Sequence, residues 1–66
     1  MKLMHLPAKR LGVGDHLILT TPGFLPVSVE IWNHIRDERG VIRFYVREST
    51  TWQVTVHEDD VVAVLR

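Results

Sequence analysis

Trp32, His34, Arg43, Tyr45 and Arg47 fall within one short stretch of this chain, and their side chains have chemistry to offer. Aromatic rings interleaved with guanidinium groups stack bases and hold phosphates, the chemistry of a nucleic-acid platform. The same residue types are enriched at the energetic centres of protein–protein interfaces. A third reading is structural: Trp32 and Tyr45 cover a strand pair, and Glu30 neutralises Arg47. Other candidates are weaker. His57 with Glu58, Asp59 and Asp60 resembles a metal cluster, but ligand atoms must converge at about 2 Å from one ion. Neighbouring side chains along a strand point to opposite faces, so this run reads as a solvated turn. Gly12-Val13-Gly14 has no helix after it to cradle a phosphate. Ser28, Ser49 and the threonines have no recognisable base or acid partner. No catalytic residue, metal or cofactor is expected.

Charge weighs between the two binding chemistries. Eight basic and eight acidic side chains give a formal net charge of zero, whereas nucleic-acid affinity draws mainly on neutralised phosphates and released counterions. A protein partner or self-association is therefore favoured over nucleic acid. Chains of this size, 66 residues, bury only roughly 60% of the surface their unfolded form exposes. Without cysteine there is no disulfide framework, so stability must come from a well-patterned β core, with self-association as a further source. No apolar run approaches the roughly 20 residues that span a bilayer, and the N-terminus lacks the pattern of a signal peptide. The chain is expected to be cytoplasmic with no membrane partner. Arginine outnumbers lysine, a usage that hints at a GC-rich genome.

The elements that position these residues follow from alternation of apolar and polar side chains. Val27 to Glu48 reads as one β-hairpin. Its first arm turns Val27, Val29, Ile31 and Ile35 inward, and Ser28, Glu30, Trp32, His34 and Arg36 outward. Its second arm turns Ile42, Phe44 and Val46 inward, and Arg43, Tyr45 and Arg47 outward. With residues 37–40 as the loop and Gly40 supplying a positive φ, Arg36 faces Val41, His34 faces Arg43, Trp32 faces Tyr45 and Glu30 faces Arg47 on the wet side. Ile35 then meets Ile42, and Ile31 meets Val46, inside. Only Asn33, facing Phe44, breaks the pattern, and a bulge or a bond to a loop backbone group is expected there.

The remaining segments read as an edge strand at Leu3–Ala8, a loop at Lys9–Gly14 and a strand at His16–Thr20. A loop at Thr21–Pro26 follows, carrying Phe24 and Leu25. Thr51–His57 is the next strand, with Trp52, Val54 and Val56 inward; Glu58–Asp60 is a turn and Val61–Leu65 the last strand. No window keeps a 3.6-residue period, so no α-helix is expected.

Two stretches carry a family likeness. Leu11-Gly12-Val13-Gly14-Asp15-His16-Leu17-Ile18-Leu19 is similar to the glycine-aspartate opening of many Src-homology-3-like barrels. Val56-His57-Glu58-Asp59-Asp60-Val61-Val62-Ala63-Val64 resembles their strand, short turn and final strand. The likeness covers most of residues 11–65, and small barrels of this look also occur among actinobacterial and phage proteins. It implies an all-β fold: one five- to six-stranded antiparallel barrel over residues 1–66, with residues 1–10 as a peripheral edge. It carries no activity with it. The loop Thr20–Phe24 has no acid and one aromatic, which argues against the proline-rich peptide binding of that family. The expected function is a non-enzymatic binding or assembly module. Its surface is Trp32, Tyr45, Arg43, Arg47, His34 and Phe24, and the alternative is a weak nucleic-acid accessory domain using the same face.

Overall fold

A computed structural model describes residues 1–66. Six strands, β1 (Leu3–Pro7), β2 (His16–Leu19), β3 (Val27–Arg36), β4 (Val41–Val46), β5 (Gln53–His57) and β6 (Val61–Leu65), form one antiparallel sheet in the order β1-β6-β2-β3-β4-β5. Each lies within a segment that the sequence reads as a strand. Ala8–Arg10 make a 3₁₀ turn that takes the last residue of the expected Leu3–Ala8 edge strand and the first two of the expected Lys9–Gly14 loop. The sheet does not close: β1 and β5 remain its two edges. No helix is long and apolar enough to cross a membrane.

The ten-residue β3 bends the sheet into two leaves. Its first part, Val27–Glu30, pairs with β2, and Ile31–Arg36 pairs with β4. The leaves face each other across a core in which Leu6, Leu17, Val29 and Val64 come from one side and Ile42, Phe44 and Val46 from the other, with Ile31 at the bend. Burial of such side chains is the main source of stability, about 1.5–3 kcal/mol each. One end is stapled by backbone bonds among three turns. Ala8 N–H donates to Asp60 O (2.8 Å), Lys9 N–H to Glu58 O (3.0 Å) and Glu58 N–H to Gly40 O (2.7 Å).

The other fixed point joins Arg66 to Asp15 through two bonds, Nη2 to Oδ2 at 2.9 Å and Nε to Oδ1 at 3.1 Å. Asp15 also accepts from Gly12 N–H at 2.9 Å. The Arg66 hydrogen bond, more than any other contact, holds the Asp15 carboxyl below the ordinary aspartate value. Asp37 is held low in the same direction, first by Val41 N–H and then by Arg39 N–H. A carboxyl depressed in the fold contributes stability present above its unfolded pKa and lost as pH falls through its folded value. The urea midpoint is therefore expected to drop as pH falls from about 5 to about 2. Asp15→Asn should shrink that dependence, with Asp37 supplying the remainder. An unchanged slope in Asp15→Asn would refute this account.

The central hairpin corrects the uniform alternation expected of it. Ile31 pairs with Val46 as expected, but the succeeding partners are Asn33–Tyr45, His34–Phe44, Ile35–Arg43 and Arg36–Ile42. Trp32 is the extra residue of a β-bulge, and one extra residue reverses the facing of everything beyond it. Ile35, expected inside, is 52% exposed across from Arg43. His34 and Arg36, expected on the wet face with Trp32, cross to the side of Phe44 and Ile42. Asn33 lies exposed, its Oδ1 accepting from His34 N–H at 2.9 Å.

The turn explains the shift. Asp37 N–H donates to Val41 O (3.0 Å), Gly40 N–H donates to Asp37 O (3.1 Å), and Gly40 has φ +84°. This is a three-residue loop ending in a left-handed glycine, which adds one residue on the β4 side. Trp32 adds one on the β3 side. The two insertions cancel, so Ile31–Val46 and Glu30–Arg47 return to the register that a four-residue loop predicts.

Candidate interaction surface

The bulge at Trp32 sets the site. It pushes the indole outward, 48% exposed, where it meets Tyr45 from β4 with ring centroids 6.2 Å apart and planes tilted by 53°. That spacing lies within the range of favourable aromatic pairs. A second indole joins them. Ser49 Oγ accepts from Thr51 N–H (3.2 Å) and Trp52 N–H (3.3 Å), a side-chain turn of the kind serine favours. This delivers Trp52 just ahead of β5. Trp32, Tyr45, Trp52 and Arg47 line an open cleft of about 290 Å³. Trp52 was expected to point inward with Val54 and Val56. Those valines do pack against the core, but Trp52 precedes the ladder and stays 43% exposed.

Trp52 also borders an apolar recess of about 390 Å³ with Leu19, Phe24, Leu25 and Val27. The Phe24 loop has a simple cause. Phe24 N–H donates to Thr21 O (3.0 Å) across Pro22 and Gly23, whose φ is +84°. Proline then glycine at the centre of a turn is the type II pattern, and the chain beyond it leaves the surface. Phe24 is 77% exposed and Leu25 87%. Val27, expected inward, is also exposed, because it pairs with Leu19 at the open end of the leaf, where little covers it.

The charges sort differently from the sequence expectation. Arg47 is bound to Glu30, Nε to Oε2 at 2.7 Å, the neutralisation that the sequence offered as the structural reading. Arg43 has no acidic partner and lies on the face of Tyr45 and Ile35. His34 is separated from the aromatic pair. It sits beside Phe44, ring centroids 6.1 Å apart, in a different cleft of about 400 Å³ between the 3₁₀ turn and the hairpin. The two cations of that cleft are paired, Arg36 with Glu58 and Lys9 with Asp59, each at 3.2 Å. Of the six candidates, the structure groups Trp32, Tyr45 and Arg47, puts Arg43 on the same face, links Phe24 to them through Trp52, and removes His34.

His57, Glu58 and Asp59 come closer than strand splaying predicts, with one ligand atom of each within 4.8 Å of the others. The reason is that Glu58 and Asp59 occupy the turn after β5, where alternation ends. One atom of each already has a partner within the chain. Asp59 N–H donates to His57 Nδ1 (3.2 Å), Glu58 holds Arg36 and Asp59 holds Lys9.

No known family, curated protein or solved structure matches this chain. The functional reading therefore rests on the geometry of this surface.

Proposed function

We propose that this chain is a non-enzymatic binding module that engages a protein partner through the Trp32–Tyr45–Trp52 surface and the adjoining Phe24–Leu25 loop. The observation that carries the reading is the continuity of exposed apolar side chains from Trp32 through Trp52 to Phe24 and Leu25. Contiguous exposed apolar surface marks interaction sites in small proteins. The neutralisation of Arg47, Arg36 and Lys9 by Glu30, Glu58 and Asp59 leaves little charge to hold a phosphate backbone, which further favours a protein partner. We also read the fold as an open relative of the Src-homology-3-like barrels, acting in the cytoplasm. A long strand shared by two leaves, successive hairpins and one short turn before the last strand support that relation.

Trp32→Glu tests the surface. The indole stands on a bulge outside the core, so the variant is expected to keep its thermal midpoint within about 3 °C of wild type. Partner capture from a cell lysate should fall at least tenfold, whereas Arg39→Glu, at the far tip of the hairpin, should capture as wild type does. Unfolding of Trp32→Glu would make Trp32 a core residue and end the proposal. Arg43, unpaired beside Tyr45, favours the second reading of weak single-stranded nucleic-acid binding. In that case, retardation of an oligonucleotide should be present at low salt and fall steeply towards physiological ionic strength. No retardation at low salt would eliminate it.

A further inference from the structure

The two edges of the sheet are unequally defended. Hydrogen bonds in an antiparallel pair alternate between neighbouring residues, so one known bond fixes which backbone groups point outward. On β1, Lys2 and Arg66 exchange both bonds, which turns Leu3, His5 and Pro7 outward; Pro7 has no N–H, a common protection of an edge. On β5, the bond from Glu58 N–H to Gly40 O makes Ile42–Val56 and Phe44–Val54 the bonded pairs and turns Gln53, Thr55 and His57 outward. His57 is already capped, its N–H donating to Asp60 Oδ2 (2.8 Å) and its carbonyl accepting from Asp60 N–H (3.0 Å). Gln53 and Thr55 are left, each with a free N–H and C=O. Gln-Val-Thr-Val-His contains no proline, no lysine and no bulge, the devices that keep an edge from pairing with another chain.

We propose that the occupant of this edge is β5 of a second copy, paired antiparallel about a two-fold axis at Val54. The free groups select that register. With Val54 opposite its own symmetry mate, Gln53 of each chain faces Thr55 of the other, and the only unpaired backbone groups of the edge exchange four hydrogen bonds. The side chains then match on both faces. Outside, Gln53 meets Thr55, a polar pair without charge. On the apolar side, half-buried Val54 meets the Val54 of the other copy, and Trp52, just ahead of the strand, stands at the end of the seam. No like charges face each other, and cross-strand pairs of these kinds are favourable.

Surface area agrees with an unmet partner. The chain exposes 4657 Å², above the about 4,300 Å² that size scaling gives a monomer of this mass. Strand pairing alone covers less than the roughly 800 Å² per partner of a stable complex; the Phe24–Leu25–Val27 recess, contiguous with the seam at Trp52, supplies the remaining apolar area. This association is separate from the Trp32–Tyr45 contact of the proposed function, with Trp52 and the Phe24–Leu25 loop common to both.

Charge exchange at the two polar positions tests it. Gln53 and Thr55 are exposed, so neither change touches the core. The double variant Q53K/T55K sets lysine against lysine twice across the axis, and Q53E/T55E sets glutamate against glutamate. By sedimentation over a concentration series, wild type should reach twice the 7.6 kDa of the chain. Each variant alone should remain at 7.6 kDa, and an equimolar mixture should regain the doubled mass. Amide exchange gives a second measurement that needs no variant: protection of Gln53 and Thr55 should rise with wild-type concentration. A monomer at every concentration, variants that dimerise as wild type does, a mixture that stays monomeric, or concentration-independent exchange would each overturn the proposal. Trp32→Glu should leave the doubled mass intact. If Trp32→Glu abolishes it while the charged β5 variants still dimerise, self-association belongs to the aromatic surface, and the proposed function survives without this one.

Discussion

Phe44→Ala is expected to lower the free energy of unfolding by about 3–5 kcal/mol. Phe44 is 1% exposed and sits on β4 at the centre of the core. It is inward because β4 alternates without interruption between Ile42 and Val46, both buried. Truncation removes the transfer energy of the ring and leaves a void that the two leaves cannot close, since β4 is paired on both sides and is not free to move inward. A chain of this length has a total stability of about 3–10 kcal/mol at ordinary values per residue. The variant should therefore be substantially unfolded at room temperature, and urea titration followed by tryptophan fluorescence reads it directly. A loss below about 1 kcal/mol would show that the ring is not held as the structure has it. Phe44→Leu, which keeps most of the volume, should lose much less.

Gly40→Ala should cost about 2 kcal/mol by two separate routes. The φ of +84° is a conformation that a residue with a Cβ adopts at a cost of about 1–2 kcal/mol. The added methyl would also stand 2.8 Å from Glu58 Oε1 and 3.0 Å from His57 Nε2. Glu58 is a flexible side chain and would yield, but yielding breaks its 3.2 Å pair with Arg36. Removal of that exposed pair by itself contributes little, so Glu58→Ala combined with Gly40→Ala should cost nearly the same as Gly40→Ala. A large rescue by Glu58→Ala would place the whole effect in crowding and none in the backbone. Guanidinium midpoints of the four proteins of the cycle decide this.

The hairpin arms and β5 are legible in the sequence through a two-residue alternation that no helix shares, and β2 and β6 through short apolar runs bounded by turn residues. Val61–Leu65 and the ladders of β2, β4 and β5 fall where the apolar positions put them. The hairpin register was half legible. Glu30 opposite Arg47 and Ile31 opposite Val46 follow from pairing unlike charges outside and apolar residues inside. Beyond Trp32 the four-residue loop that the sequence suggests gives the wrong facing, because Gly40 makes a three-residue loop with its own extra position. Asn33 was the signal: a polar residue assigned to a core position opposite Phe44 marks a place where alternation fails. Taking the bulge as the rule there would have turned Ile35 outward and His34 towards Phe44.

The site was legible in its aromatic pair and not in its extent. Parity with Val54 and Val56 turns Trp52 inward, but parity holds only inside a ladder, and the serine-capped turn at Ser49 lies outside one. The convergence of Trp32 and Trp52 depends on how two leaves fold about β3, a long-range fact with no local sequence signal. Whether the sheet closes is similar. Six alternating strands suit a closed barrel or an open sheet equally, and the difference lies in the edges that β1 and β5 present.

The paired one-residue insertions of the hairpin have a consequence for its evolvability. Because Gly40 and Trp32 displace the ladder in opposite senses, the segment between them is a cassette that rotates without disturbing the base at Glu30 and Arg47. A descendant in which Trp32 takes a regular place in the ladder and residues 37–40 form a four-residue loop keeps the same core contacts below Ile31 while swinging Ile35 in and His34 and Arg36 out. The outer third of the arm can thus exchange a greasy exterior for a cationic one in a single concerted step, leaving the foundation of the molecule untouched.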